Sequence, residues 1–247
     1  MTAGGFLDWG DPVGFAGAAV LGGLLALDDT AYAQTWLSQP LPAALLTGLL
    51  LGDPLTGLAL GLPLQIVLAA NIPVGQSFTG DAVTSTVGVT AAAVLAEASQ
   101  TPALLHGSAG LPELGWLLLA VSLLSIAGQY AVGAERRGNT AWMLRGHRTL
   151  RDGDLGRIGR LHLRCMQVTF VRGAVTTVAA AYLVYAVWLP LFGHLPARVQ
   201  AASGLLALLL PGLGLGAVVE QYGLRRSAPW LAIGAAAVVA LGTVVRA

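Results

Sequence analysis

Long apolar runs separated by short polar breaks organise the chain. Residues 12–27 form the first run, which ends at Asp28-Asp29-Thr30. Residues 28–39 are polar and mixed, and the next apolar run, 40–52, holds about 13 residues. At ~1.5 Å per residue that run reaches roughly 20 Å, short of the ~30 Å hydrocarbon core of a bilayer. Asp53-Pro54 breaks it, and a further run over 54–72 carries Gly57, Gly61 and Pro63 inside it before Asn71-Ile72-Pro73 closes it. Two interrupted runs joined at a Gly-Asp-Pro turn predict a re-entrant, broken-helix hairpin. Irregular backbone at that depth persists only where protein or a water-filled cavity satisfies it. Later runs cover 82–96, 113–133, 173–192, 201–219 and 228–245, with a polar, Pro-containing loop over 98–112.

Composition turns these runs into a fold class. Of 247 residues, 55% are hydrophobic and 10% charged, and mean hydropathy is +0.73. An ordinary soluble chain carries about a quarter charged residues. A disordered chain, a collagen, a coiled coil and an ordinary soluble enzyme are therefore excluded. The expectation is an all-α, polytopic integral membrane helical bundle with broken-helix hairpins, formed by residues 1–247 as one membrane domain. Its 33 glycines suit closely packed helices in lipid. Gly48/Gly52 and Gly57/Gly61 give two small-xxx-small pairs, and Pro211 with Gly212, Gly214 and Gly216 repeats the broken theme in the second half. Residues 1–10 have no basic stretch and carry Asp8, which argues against a cleaved signal peptide.

Charge sets the orientation. All 13 basic residues are Arg, none precedes Arg136, and nine lie between Arg136 and Arg172. The excess of Arg places segment 134–172 in the cytoplasm. Counting outward puts Arg225 and Arg226 on the same side, and counting inward through a hairpin re-entrant from the cytoplasm puts Met1 outside. Trp116, Trp188 and Trp230 lie near run ends, where interfacial aromatics sit, although core packing serves each equally well. Within the Arg-rich segment, Asp152-Gly153-Asp154 forms a turn. Leu155, Ile158, Leu161, Cys165 and Thr169 then recur at helical spacing opposite Arg157, Arg160 and Arg164. This predicts a cytoplasmic amphipathic helix with a basic face, suited either to the membrane surface or to packing on a neighbouring helix. The patch is too small, and too enclosed by spans, for nucleic acid.

Candidate chemistry lies in residues 28–81. Asp28, Asp29, Gln34, Gln39, Asp53, Gln65, Asn71, Gln76 and Asp81 flank or interrupt apolar runs, with no Arg in that half. Polar groups at membrane depth are costly and usually face a bundle interior or cavity. Carboxylates and carboxamides beside Gly and Pro breaks suit a neutral, polyhydroxylated ligand, because each makes several hydrogen bonds to adjacent hydroxyls. Loop capping is the plainer reading for most of them. Gln65 stands apart because it lies inside a run. The four histidines are scattered, with no His-Glu-x-x-His spacing for zinc, and no Gly-x-Ser-x-Gly elbow occurs. Single Cys165 excludes a disulfide within the chain and a Cys-cluster metal site. No cofactor or metal is implied.

At Leu51-Gly52-Asp53-Pro54-Leu55-Thr56-Gly57 the sequence resembles the IIC permease subunit of the mannose/fructose/sorbose family of bacterial sugar phosphotransferase systems. Leu27-Asp28 followed by Gln34-Thr35-Trp36-Leu37-Ser38-Gln39-Pro40 is similar to that family's "LD…Q-T-x-x-S-R-P" stretch. Asn71-Ile72-Pro73-Val74-Gly75 with Asp81 is similar to its "L-P-V-G-A-x-x-P-P-D" stretch. Arg151-Asp152-Gly153-Asp154-Leu155, Leu161-His162-Leu163 and Arg172-Gly173 resemble its cytoplasmic segment and the following helix. Gln65 stands where members carry Glu or Gln. Gln39 replaces the Arg of Ser-Arg-Pro, and Gly80 replaces a Pro before Asp81; these departures bear on which sugar is taken and on whether transport is retained.

The resemblance implies a non-catalytic, multi-pass subunit in the bacterial inner membrane. It would pair with a homologous-fold IID membrane subunit in a hetero-oligomer and pass a hexose-like sugar to soluble IIA and IIB phosphocarriers, which perform the phosphoryl transfer. Mapped onto this chain, the sugar would be met by Asp28, Gln34, Gln65, Asn71 and Asp81. Two other readings differ in class. One is a non-transporting adaptor that docks soluble phosphotransferase proteins through the Arg-rich segment. The other is an ion-coupled transporter of another small solute, titrating at Asp53 or Asp81.

Overall fold

A computed structural model of the chain describes residues 11–68, 80–97, 110–150 and 155–246. Asp8, Asn71, Gln76, the loop 98–109 and the turn 152–154 lie outside the described residues. The described residues are helical almost throughout, with no strand among them.

Helix α1 (Pro12–Thr30) starts where its sequence provides a cap. Asp11 accepts a hydrogen bond from the Val13 N–H at 3.0 Å, and Pro12 occupies the first helical position. An acid at the N-cap and a proline just inside satisfy or remove donors that a helix start leaves unpaired. Helix α2 (Pro40–Leu51) begins on another proline and ends at Gly52, whose φ of +90° is left-handed. Helix α3 (Pro54–Leu68) follows at once. Asp53 caps it, accepting from the Thr56 N–H at 3.1 Å and the Thr56 hydroxyl at 2.6 Å. The hairpin predicted over 40–72 is thus present, with its tip at Gly52-Asp53. Its two arms touch backbone to backbone: a β-carbon on Gly57 would run into the Ala44 carbonyl oxygen, and one on Gly61 would lie 3.1 Å from Leu41 Cα.

Helix α4 (Ala82–Glu97) is buried on nearly every face and is the axis of the bundle. On one side Val89, Ala92 and Ala93 pack with Leu60 and Leu64 of α3 and with Leu117, Leu118 and Val121 of α5 (Leu111–Leu150). On the other, Val83, Val87, Ala91 and Leu95 pack with Phe15, Ala18 and Leu25 of α1 and with Ala43 of α2. Helix α6 (Leu155–Leu183) runs antiparallel to α1, with Gly173 against Ala26 and Gly23 against Phe170. It continues through a π-helical turn at Val184–Trp188 into α7 (Leu189–His194). There Trp116 and Trp188 stack at 4.3 Å and each indole N–H donates to the other residue's carbonyl, at 2.9 and 3.0 Å. These two aromatics therefore pack between helices. Helices α8 (Ala197–Tyr222) and α9 (Leu224–Arg246) complete the chain, and Trp230 on α9 is 74% exposed.

Among the described residues, four helices are long and apolar enough to cross a bilayer: Pro12–Thr30, Leu111–Gly146, Ile158–His194 and Ala197–Tyr222. Helices α2, α3 and α4 are apolar but shorter. The Arg-rich segment differs from a free-standing surface helix. Helix α5 is 40 residues long, about 60 Å at the usual rise, so it runs through the apolar stretch and on into 134–150 without a stop. That stretch holds no proline, so nothing breaks the ladder. The basic helix foreseen after Asp154 is the first part of α6 and is continuous with its apolar part.

Candidate functional site

Asp28, Gln39, Gln65 and Asp81 lie toward one end of the bundle, the end from which the Arg-rich extensions of α5 and α6 leave, whereas Asp53 sits at the hairpin tip. Asp28, in the last turn of α1, organises the linker to α2. Its Oδ1 accepts from the Thr35 N–H and hydroxyl, both at 2.7 Å, and its Oδ2 accepts from the Ser38 N–H at 3.0 Å. The linker needs this anchor. Ala33, Gln34 and Trp36 all adopt left-handed φ, at 66°, 52° and 69°. Such backbone costs free energy in residues other than glycine and persists only where its surroundings over-determine it. Asp28 is buried, while Gln34 is exposed on the outer side of the linker.

Gln65, in the last turn of α3, closes the base of the hairpin. Its Oε1 accepts from the Leu41 N–H at 3.1 Å, and its Nε2 donates to Gln39 Oε1 at 3.4 Å. The Leu41 N–H belongs to the first turn of α2, where helix geometry provides no intrahelical acceptor. A side chain from one arm therefore caps the other. Asp28 holds residue 38 and Gln65 holds residue 41, so these two expected site residues grip the same short piece of chain from two sides. Each carboxamide has two N–H donors and an oxygen, and the Gln39–Gln65 contact uses one donor.

Asp81 is placed differently. It caps α4, accepting from the Thr84 N–H at 3.2 Å, while its own N–H donates to the Ser125 carbonyl of α5 at 3.0 Å. Its Oδ2 meets Arg172 Nη1 at 2.6 Å, and Arg172 Nε meets Glu135 Oε2 at 2.8 Å. Glu135 also accepts from Asn139 Nδ2 at 3.3 Å and from the Thr169 hydroxyl. All three charged side chains are nearly sealed, at 4%, 11% and 7% exposure for Asp81, Arg172 and Glu135. Asp29, next to Asp28, lies within electrostatic reach of Asp81, Arg172 and Arg136. The last turn of α1 thus faces both clusters: Asp28 toward the hairpin and Asp29 toward the ion network.

No Arg lies near these acids in their own half of the sequence; folding brings Arg172 to Asp81 from 91 residues away. Arg172 and Glu135 were not among the expected site residues. The available signal was position: Glu135 ends the run 113–133 and Arg172 opens the run 173–192, as Asp81 opens 82–96. Asn71 lies outside the described residues. Asp28 and Gln65 thus hold nearby residues of one linker without touching each other, Gln34 is exposed, and Asp81 belongs to the separate ion network.

Over residues 16–247 the chain matches the model of the EII-Sor family, described as the sorbose-specific IIC component of the PTS system. Over 95% of its length it superposes on 92% of a chain solved as "Structure of membrane protein", with a TM-score of 0.72 and 19% identity. It superposes over the same shares on a chain from the cryo-EM structure of the mannose transporter ManYZ with microcin E492 (MceA), with a TM-score of 0.56 and 20% identity. At these identities the structures show a shared fold. No curated protein matches the chain. The family match runs from the second turn of α1 through α9 and so takes in the hairpin, the ion network and both basic extensions: the chain belongs to the sorbose-type IIC family of phosphotransferase-system membrane components.

Proposed function

We propose that this chain is the membrane permease subunit of a sugar phosphotransferase system, and that it binds a hexose-like sugar at the base of the α2–α3 hairpin. The observation that carries the reading is the Gln65–Gln39 carboxamide pair closing a hairpin too short to span. Neutral amides recognise sugar hydroxyls without the desolvation cost of an unpaired charge. Asp28 shapes the linker and presents Gln34, and Asn71, which follows α3 in the sequence, is a further sugar contact in this reading. In this reading Asp81 contributes to sugar binding only when Arg172 moves, because both of its oxygens are already engaged. Motion of the hairpin against the α4–α5–α6 body would alternate access, as in transporters built on broken helices. A homologous-fold IID membrane subunit completes the hetero-oligomer in the bacterial inner membrane. Soluble IIA and IIB proteins carry out the phosphoryl transfer, and this subunit holds no catalytic residue.

The test is uptake of a panel of labelled hexoses by cells carrying the chain with its partner subunits. Gln65→Leu removes both hydrogen bonds and should lose uptake while the protein still inserts and assembles. Gln65→Glu keeps the acceptor for Leu41 and should retain it. Full uptake by Gln65→Leu would refute the site. Uptake that ignores loss of the phosphate donor but collapses with an ionophore would refute the phosphotransferase reading.

A further inference from the structure

Beyond the ion network, the extensions of α5 and α6 enclose a cleft of about 700 Å³. Arg145, Arg160, Arg164 and Gln167 line its polar side, with Leu161 and Trp142 among its apolar lining. The Arg164 guanidinium lies 5.8 Å over the Trp142 ring. Trp142 and Arg145 stand seven and ten residues past Glu135, roughly 10–15 Å further along the helix axis. That is the depth of the headgroup layer if the apolar run of α5 fills the hydrocarbon core, since headgroups add several ångströms on each side of a ~30 Å core.

One winding ridge of α6 passes from this cleft into lipid. Arg160, Arg164, Gln167, Val171, Val175, Ala179 and Leu183 recur at three- and four-residue spacing, and all are exposed. Such spacing places them along one ridge that winds around the helix, Leu183 lying about 120° round from Val171. Its chemistry changes once, between Gln167 and Val171, from guanidinium and amide to bare hydrocarbon. From Val171 to Leu183 the ridge rises roughly 18 Å, close to the depth of one leaflet. Val171 and Val175 are 57% and 61% exposed, so no helix among the described residues covers that part of the track.

We infer that the cleft and ridge bind an anionic phospholipid of the inner leaflet. The headgroup phosphate sits among Arg145, Arg160 and Arg164, and an acyl chain lies along Val171, Val175 and Leu183. Guanidinium forks match phosphate oxygens. A soluble phosphorylated protein would meet the charge but leave the hydrocarbon half of the ridge unused. A zwitterionic lipid would bring its own ammonium against the guanidiniums. The inference needs only that the chain lies in a bilayer and does not depend on which solute it carries.

The experiment uses the full chain in a neutral detergent. It is titrated with phosphatidylglycerol or phosphatidylcholine of identical acyl chains, and bound lipid is read by native mass spectrometry alongside the thermal unfolding midpoint. Phosphatidylglycerol should be retained in preference, and each Arg→Gln change at 145, 160 or 164 should weaken that retention by roughly fivefold. The matching Arg→Lys changes should keep most of it. Arg225→Gln/Arg226→Gln, away from the cleft, should leave it unchanged. These single surface substitutions leave the buried network intact, and unfolding in phosphatidylcholine checks that each variant folds. Equal retention of the two lipids, or undiminished phosphatidylglycerol binding by the Gln variants, would overturn the inference. So would full displacement by inorganic phosphate, which assigns the cleft to a soluble anion.

Discussion

The first four helices and α8 are all apolar, yet they use their glycines differently. In the amino-terminal part helices meet at glycine: Gly57 presses on the Ala44 carbonyl, and Gly88 would place a β-carbon 2.8 Å from both Ala180 Cβ and the Thr177 carbonyl. In the carboxy-terminal part only one face of α8 does the same, with Gly214 against the Ile66 carbonyl of α3; on its other face Gly212 and Gly216 have nothing within 4 Å of where a β-carbon would be, and Leu205, Leu208, Leu209 and Leu213 are exposed. Small residues let backbones approach in lipid, but only where a second helix is present. What separates the regions is the set of polar groups that need partners. Asp28, Gln65 and Asp81 each tie one element to another, and α8 offers Ser203, whose hydroxyl reaches the Pro112 carbonyl at 2.6 Å.

That contrast can be broken most severely at Arg172. Arg172→Ala leaves Asp81 and Glu135 buried without their cation and should cost about 3–5 kcal/mol, seen as a large drop in the thermal unfolding midpoint of the purified chain. Replacing Asp81 and Glu135 by Asn and Gln in the same variant should restore much of the loss. A smaller loss in the single variant than in the triple one would show the network to be dispensable. Next comes one substitution made in both regions. Gly57→Ala forces a methyl group onto the Ala44 backbone and should destabilise by about 1–3 kcal/mol. Gly216→Ala meets open space and should be neutral, or stabilise by up to about 1 kcal/mol through helix propensity. Equal effects at the two sites would erase the distinction between the regions.

Most of the fold was legible because bilayer-length hydrophobicity is a local signal. The runs 12–27, 40–52, 54–72 and 82–96 became α1 to α4 with ends shifted by a few residues, and the Gly-Asp-Pro break marked the hairpin tip. The helix ends beyond the bilayer were not legible. Hydropathy falls at 134, but helix continuation depends on the backbone ladder, and α5 runs on to Leu150. The site was legible in part for the same reason. An amide inside an apolar run, Gln65, announces that it has a partner, yet only folding shows the partners to be Leu41 and Gln39. The pairing of Asp81 with Arg172 is set by how α4, α5 and α6 converge, and no spacing along the chain records it.

The same salt-bridged triad dictates an order of biogenesis. Synthesis proceeds from the amino terminus, so the carboxylate of residue 81 emerges 91 residues, and that of residue 135 emerges 37 residues, before the guanidinium that joins them. Until the ribosome has delivered α6, both acids lack the guanidinium that pairs them in the fold, and arrival of that helix is the moment at which α4 and α5 become locked to it.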